Sequence, residues 1–183
     1  MKAVKDNEKM KVPGESITWW YKDEEYTTAG TYTFNITEPS QVYISLIGGG
    51  GGSAQVDGYG DPYSDTARTN HYGHSGGNGG RFEGWANLGV GTLQIKVGAV
   101  GTNRAGQGVA AGNGGDSYAV YTPENGTPVE IARARGGHSG YPDGSTYMVD
   151  VPGGTVTYDP NYFSKIEIAQ TGASGHYLWV VHI

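Results

Sequence analysis

The segment Thr31-Tyr-Thr-Phe-Asn-Ile-Thr37 decides the fold class of this chain, because its polar and apolar residues alternate without interruption. Tyr32, Phe34 and Ile36 fall on one face of an extended chain, and the polar residues fall on the other. This period of two is typical of a β-strand with one buried face. A second such segment, Val42-Tyr-Ile-Ser-Leu-Ile47, follows after a Pro-containing turn and leads directly into five consecutive glycines.

The alternation of polar and apolar residues recurs along the rest of the chain, and it predicts β-strands and no α-helix. The clearest later strand is residues 92–97, with Leu93, Ile95 and Val97 on one face. Weaker strand candidates are residues 17–21, 81–87, 117–121, 129–134, 155–158 and 165–169. The run at 177–183 is mostly apolar on both faces and predicts a central strand with both faces covered. No window has the spacing of an amphipathic helix, and an all-β sandwich or jelly-roll-like fold is expected.

Glycine is unusually abundant, with 33 of 183 residues, and it is concentrated in tracts between the predicted strands. Each glycine loses more backbone freedom on folding than any other residue and brings no side chain to bury. The tracts lack the strict three-residue period of collagen, which is therefore excluded.

Two conformations of the tracts fit this composition. They could form turns with positive φ, or extended left-handed helices of three residues per turn whose main chains pack side by side. We expect a mixture, with polyglycine II-like structure at 48–52 and its nearest partners and turns elsewhere. The glycines with a predicted structural role are Gly48, Gly49, Gly50, Gly51, Gly52, Gly76, Gly77, Gly79, Gly80, Gly114 and Gly115.

Charge, cysteine content and the N-terminus restrict the function classes. The net charge of −6 disfavours a nucleic-acid partner, and the absence of Cys excludes disulfides and thiolate chemistry. Residues 1–24 are expected to be an arm or linker with a candidate first strand, followed by one glycine-rich β domain at 25–183. Neither a signal-peptide pattern nor a membrane-spanning apolar stretch is apparent. We therefore expect synthesis in a cytoplasm without a signal peptide, and no membrane insertion.

Two segments rich in polar and aromatic residues, 53–75 and 137–147, are the candidate contact loops. Aromatic rings can stack on the apolar faces of sugars while carboxylates accept hydrogen bonds from hydroxyls. The candidate receptor- or glycan-contact residues are Tyr59, Asp61, Tyr63, His71, Tyr72, His74, His138, Tyr141, Asp143 and Tyr147. Such residues are also typical of ordinary surface loops and of subunit contacts.

No motif predicts catalysis, a metal site or a cofactor. Asp57, Asp61 and Asp65 recur at intervals of four, which is not the spacing of a calcium-binding loop. The histidines lack the spacing that holds zinc. Arg133 and Arg135 share one face of a predicted strand, where they either pair with carboxylates or face solvent.

The order of these motifs resembles the glycine-rich domain of bacteriophage tail fibre and tail-tip adhesin proteins. The likeness begins at Gly30-Thr-Tyr-Thr-Phe and the five glycines, and covers roughly residues 26–183. Its later parts are Gly76-Gly-Asn-Gly-Gly-Arg-Phe-Glu, Leu88-Gly-Val-Gly-Thr-Leu-Gln-Ile-Lys-Val-Gly98, Gly112-Asn-Gly-Gly-Asp-Ser-Tyr and Gly172-Ala-Ser-Gly-His-Tyr-Leu-Trp-Val-Val-His-Ile183. The same pattern is similar to glycine-rich ectodomains of some animal receptors.

The resemblance implies a virion component at a tail, fibre or tip, without enzymatic activity, whose loops contact the host. It implies other virion or tail proteins as partners and a homo-oligomer such as a trimer. A host surface glycan or an outer-membrane protein is the expected receptor. The alternatives are a stand-alone carbohydrate-binding module or a receptor ectodomain, and a depolymerase-type hydrolase ranks last.

Overall fold

β-Strands form all of the regular secondary structure in the part of the chain that the structure, a computed structural model, describes. That part comprises residues 24–57, 70–105, 111–140, 151–175 and 177–181. The strands are β1 (Gly30–Ile36), β2 (Ser40–Ile47), β3 (Ala54–Asp57), β4 (Asn70–His74), β5 (Arg81–Leu88), β6 (Gly91–Val97), β7 (Arg104–Ala105), β8 (Ser117–Pro123), β9 (Val129–Ala134), β10 (Val156–Tyr158), β11 (Phe163–Gln170) and β12 (Tyr177–Val181). The predicted all-β fold class is therefore confirmed. In these ranges, no helix has the length and hydropathy needed to cross a membrane.

Two antiparallel sheets share one hydrophobic core, as in a β-sandwich. One sheet has the strand order β1-β6-β8-β9-β10 and the other has the order β11-β5-β2. The core contains Ile44, Leu46 and Phe82 from the three-stranded sheet, and Leu93 and Ile131 from the five-stranded sheet. All five side chains are almost fully buried, so the inner faces of the two sheets close on each other.

Period-two alternation explains which residues reach this core. Along β5, buried residues alternate with partly or fully exposed ones, and Phe82, Ala86 and Leu88 point inward. The faces predicted for β1 and β6 are also confirmed, because their apolar positions are the more buried ones in each strand. On β2 the predicted residues Val42, Ile44 and Leu46 are partly or fully buried, but Ser45 on the opposite face is buried as well.

A third sheet, with the order β12-β4-β3-β7, contains strands that the sequence did not predict. β4 reads Asn70-His-Tyr-Gly-His74 and β7 has two residues, so neither shows an apolar alternation. The interpretation of 53–75 as one loop was wrong at both ends, because β3 and β4 lie within it and pair with each other. Pairing in this sheet depends on backbone hydrogen bonds between distant segments, which side-chain patterns do not report.

Among the described residues, the C-terminal run does not have the central position that the sequence predicted. Within the described residues β12 pairs only with β4, and it lies at the edge of its sheet. An apolar run indicates that two faces of a strand are covered, but not how many hydrogen-bonded neighbours it has. The predicted N-terminal strand at 17–21 lies outside the described residues.

Candidate functional site

Glycine-containing segments join the sandwich to the third sheet and lie side by side. These segments are residues 48–52, 76–80, 98–102, 112–115, 136–140, 152–155 and 172–175, and we call them the glycine block. Each is attached to a sandwich strand at one end, as 48–52 is to β2. At the other end, which we call the far end, the segments lead into the third sheet or towards residues 106–110 and 141–150, which lie outside the described part of the chain.

Hydrogen bonds between neighbouring segments of the block recur at intervals of three residues. The amide of Gly48 donates to the carbonyl of Gly80 at 2.9 Å, and the amide of Gly51 donates to the carbonyl of Gly77 at 2.8 Å. The same interval separates the hydrogen bond that Gly49 donates to Gly115 from the one that Gly52 donates to Gly112. It also separates the bond from Gly137 to Gly49 from the bond from Gly140 to Gly52. Three residues per turn is the period of the polyproline II helix.

The glycines of the block do not use left-handed turns. Among the described glycines, a positive φ occurs only at Gly91, which lies in β6 and outside the block. The turns with positive φ that were expected at the tracts other than 48–52 and its nearest partners are therefore not found among the described residues. The hydrogen bonds instead extend the three-residue interval to those tracts, with Gly172 donating to Gly154 and Gly175 to Val151. An extended chain can exchange such bonds with several neighbours at once, which a tight turn cannot.

The close approach of main chains leaves no room for side chains at most of these positions. A Cβ atom on Gly51 would lie 1.9 Å from the carbonyl oxygen of His138, and one on Gly79 would lie 1.9 Å from the carbonyl oxygen of Gly48. Gly50 differs, because a Cβ there would meet nothing within 4 Å. Glycine is therefore required in the block by packing, and Gly50 is an exception.

A buried serine connects the block to both sheets of the sandwich. Ser117, the first residue of β8, is 3% exposed. Its hydroxyl donates to the carbonyl of Ile47 at 2.6 Å and accepts a hydrogen bond from the amide of Gly98 at 3.0 Å. Ile47 ends β2 and Gly98 begins a segment of the block, so one side chain satisfies two backbone groups at the junction.

Asp116 makes a second connection beside Ser117. One carboxylate oxygen accepts from the amide of Gly136 at 3.0 Å, and the other accepts from the guanidinium of Arg133 at 2.6 Å. Burial alone would raise the pKa of Asp116, but these two donors outweigh it and hold the pKa below its ordinary value. Arg133 also pairs with Glu130 on its own strand, so of the two alternatives left open for this arginine the structure shows pairing with carboxylates. Arg135 lies beyond the end of β9.

This depressed pKa predicts an acid-dependent contribution to stability. Because the folded pKa of Asp116 lies below the unfolded value of about 4, its contribution is present above that value and is lost as the pH falls through the folded pKa. Asp116→Asn should therefore lower the urea midpoint at pH 7, with a difference from the parent that shrinks below about pH 4. Glu124→Gln, at an exposed turn, is the matched control. An equal deficit for Asp116→Asn at pH 7 and pH 2.5 would contradict the assignment.

Asparagine side chains hold the far end of the block. The side-chain oxygen of Asn113 accepts from the amide of Ser139 at 2.7 Å, and that of Asn103 accepts from the amide of Ser53 at 2.9 Å. The sequence interpretation passed over these residues together with Asp116 and Ser117. All of them are polar residues within or directly beside a glycine tract, where a main-chain amide needs a hydrogen-bond acceptor, and this position in the sequence could have identified them.

Few of the predicted contact residues lie in the described part of the chain. His138 is exposed in the block, and its carbonyl accepts from the amide of Gly77. His71, Tyr72 and His74 lie in β4 rather than in a loop, and they pair in register with β12 on one side and β3 on the other. The remaining candidates lie outside the described residues, and they are Tyr59, Asp61, Tyr63, Tyr141, Asp143 and Tyr147.

The prediction that no catalytic motif is present overlooked the segment Gly73-His-Ser-Gly-Gly77, which has the letter pattern of a hydrolase nucleophile elbow, Gly-x-Ser-x-Gly. That motif needs a sharp turn from a strand into a helix. Here β4 leads into the glycine block, so the structural context of the motif is different. Within the described ranges, no group of three or more His, Asp or Glu side chains is placed to hold a metal ion.

Compared with protein-family models, with curated proteins and with solved structures, the chain shows no match.

Proposed function

We propose that this chain is a structural component of a virion, belonging to a phage tail, fibre or tail tip, and that its far end contacts the host surface. The observation that carries the proposal is the glycine block. Its main chains are hydrogen-bonded to several neighbours, and backbone atoms block most of the positions that Cβ atoms on its glycines would occupy. Such a hydrogen-bonded block holds the far end at a fixed position relative to the sandwich.

The dimensions of the block suit such a spacer. An extended chain of this type rises about 3.1 Å per residue, so a five-residue segment separates its ends by roughly 15 Å. The segments run side by side from the sandwich to the far end and exchange hydrogen bonds, so bending one of them breaks its hydrogen bonds to its neighbours. A component that transmits contact from the host to a particle benefits from this stiffness.

The candidate contact residues fit this arrangement. His71, Tyr72 and His74 lie in the third sheet at the far end, the segment 53–75 adjoins the block there, and the segment 137–147 begins within the block. Variable loops on a rigid support are a common location for recognition. We propose a host glycan or outer-membrane protein as the receptor for these loops.

Assembly into a homo-oligomer or with other tail proteins follows from the same proposal. The sandwich core is thin, and a chain with 33 glycines loses much conformational entropy on folding. Burial against partner chains would offset part of that cost. The net charge of −6 suits a soluble particle component.

The proposal is tested by locating the chain in particles. Antibodies against the purified chain should label one end of intact virions from the same source in immunogold electron microscopy, and mass spectrometry should find the chain in purified particles. A chain found only in the lysate, and not in particles, would contradict the virion role.

The host contact has a separate test. The combined substitution of Tyr59, Tyr63 and Tyr72 by alanine should abolish binding of the chain to host cells, with the thermal midpoint unchanged. The matched control carries Glu124→Ala and Asn125→Ala, at the exposed β8–β9 turn of the sandwich. Equal cell binding by both variants would contradict the proposal that residues 53–75 contact the host.

A further inference from the structure

The outer face of the three-stranded sheet carries an aromatic pair that neither the core nor the block uses. Tyr43 on β2 and Trp85 on β5 are direct register partners, with ring centroids 4.9 Å apart and planes inclined by 52°. Tyr43 is 40% exposed and Trp85 is half-buried. Because their neighbours Ile44 and Ala86 point into the core, both rings face away from it.

Hydrogen bonds fix the tyrosine ring on one side. The Tyr43 hydroxyl donates to one oxygen of Glu83 at 2.6 Å, and Arg81 Nε donates to the other at 2.9 Å. Burial and the hydrogen bond to Glu83 raise the pKa of Tyr43 to about 12, so its hydroxyl stays protonated. Burial also disfavours the ionised form of Glu83, but the donors Tyr43 and Arg81 outweigh it and lower its pKa. The ring is therefore held in place before any ligand arrives.

Uncharged polar side chains lie on the other side of the rings. Gln41 on β2 donates through its amide nitrogen to Asn87 on β5 at 3.3 Å and to Ser164 on β11 at 3.0 Å. These positions are two residues from the aromatic pair, a distance of about 7 Å along the strands. Within the described residues, the amide oxygen of Gln41 and the amide nitrogen of Asn87 have no partner, and both side chains are exposed.

We infer that this surface, formed by Gln41, Tyr43, Trp85, Asn87 and Ser164 and called here the aromatic platform, binds a neutral saccharide. A sugar ring has apolar C–H faces that stack on aromatic rings and hydroxyls at its rim that exchange hydrogen bonds with amides. The platform offers both at neighbouring positions. Its donors and acceptors are arranged across three hydrogen-bonded strands, which limits the entropy lost on binding.

Electrostatics favours a neutral ligand over an anionic one. The charged groups that border the platform pair with each other, Arg81 with Glu83 and Lys165 with Glu167. Among the described residues, this face therefore offers no uncompensated positive charge to attract a phosphate or a carboxylate.

The size of the apolar area favours a small ligand over a protein. An aromatic side chain buries about 150–250 Å² when fully covered, so these partly exposed rings offer on the order of 100–200 Å². A stable protein interface covers about 800 Å² per partner. The surrounding amides, hydroxyl and ion pairs match the rim of a sugar better than the apolar centre of an interface.

This inference does not rest on the virion role and concerns a different surface from the far end. A chain that is absent from particles could still bind a sugar on the platform. Likewise, a virion component could bind its receptor through the loops alone. The two proposals can therefore fail separately.

The test is a titration of the ¹⁵N-labelled full chain with cellohexaose, chitohexaose and maltohexaose, followed by NMR. At least one of them should shift the Trp85 indole N–H resonance, with a dissociation constant on the order of 0.1–1 mM, as suits a shallow surface. Trp85→Ala should weaken that binding at least about tenfold, whereas Trp85→Phe should retain part of it.

The matched control is Tyr118→Ala, which removes an aromatic ring stacked under Arg133 on the outer face of the five-stranded sheet. This variant should bind as the parent does. The inference is overturned if none of the three oligosaccharides shifts Trp85, or if Trp85→Ala binds as tightly as the parent. It is also overturned if Trp85→Ala only converts an oligomer into monomers, because the face would then be a subunit interface.

Discussion

Gly51→Ala is expected to destabilise the fold by about 3 kcal/mol or more, or to prevent folding altogether. The new Cβ would lie 1.9 Å from the carbonyl oxygen and 2.5 Å from the carbonyl carbon of His138. These are backbone atoms, so no side-chain rotation relieves the contact. Separating the two main chains would also stretch the hydrogen bond from the Gly51 amide to Gly77. Urea unfolding monitored by tryptophan fluorescence measures the change.

The matched control for this prediction is the adjacent residue. A Cβ on Gly50 meets nothing within 4 Å, and its φ is not positive. Gly50→Ala should therefore be neutral or stabilise the protein by up to about 1 kcal/mol, because alanine reduces the entropy of the unfolded chain. Equal destabilisation by the two variants would mean that the block does not hold its main chains at the distances described.

Phe82→Ala is expected to cost about 3–5 kcal/mol of unfolding free energy. Phe82 is fully buried and packs edge-on against Phe163, with ring centroids 4.9 Å apart, and also contacts Tyr158. Truncation leaves a cavity between the two sheets that these rings can fill only in part. The measurement is the urea midpoint, with an unchanged m-value showing that the folded state keeps its compactness.

The control for the core variant is Val100→Ala. Val100 is 76% exposed, so its truncation should change the unfolding free energy by no more than about 0.5 kcal/mol. If Phe82→Ala and Val100→Ala were equally stable, the two sheets would not share the core described above.

The strands of the sandwich could be predicted from the sequence because one face of each is buried. In β2 and β6 this burial imposes a period of two that alternation reports directly. β4 and β7 show no such alternation, and β3 alternates over only four residues, too few to be recognised as a strand. Their pairing depends on backbone groups of distant segments. β12 was predicted correctly as a strand, but among the described residues it lies at the edge of its sheet and not at the centre. Its apolar run does not indicate how many neighbouring strands it has.

The site could be predicted only in outline. Glycine clustering indicated that main chains approach closely, but not that 48–52 would contact the segments at 77–80, 112–115 and 136–140 together. Those partners are far apart in the sequence, and glycine has no side chain whose pattern could identify them. Tyr43 and Trp85 do have large side chains, but the sequence did not single them out. Each lies on the outward face of a strand, and both strands were recognised from their inward-facing apolar residues.

Native-state hydrogen exchange of the glycine amides tests most directly whether the block is a backbone-bonded body. The amides of Gly48, Gly51, Gly77 and Gly112 donate to carbonyls of other segments at 2.8–2.9 Å. Their exchange should be slowed to the same order as that of the amides in the centre of β5, with opening free energies close to global unfolding. Exchange of these glycine amides at the rate of an unprotected chain, while β5 stays protected, would contradict the account.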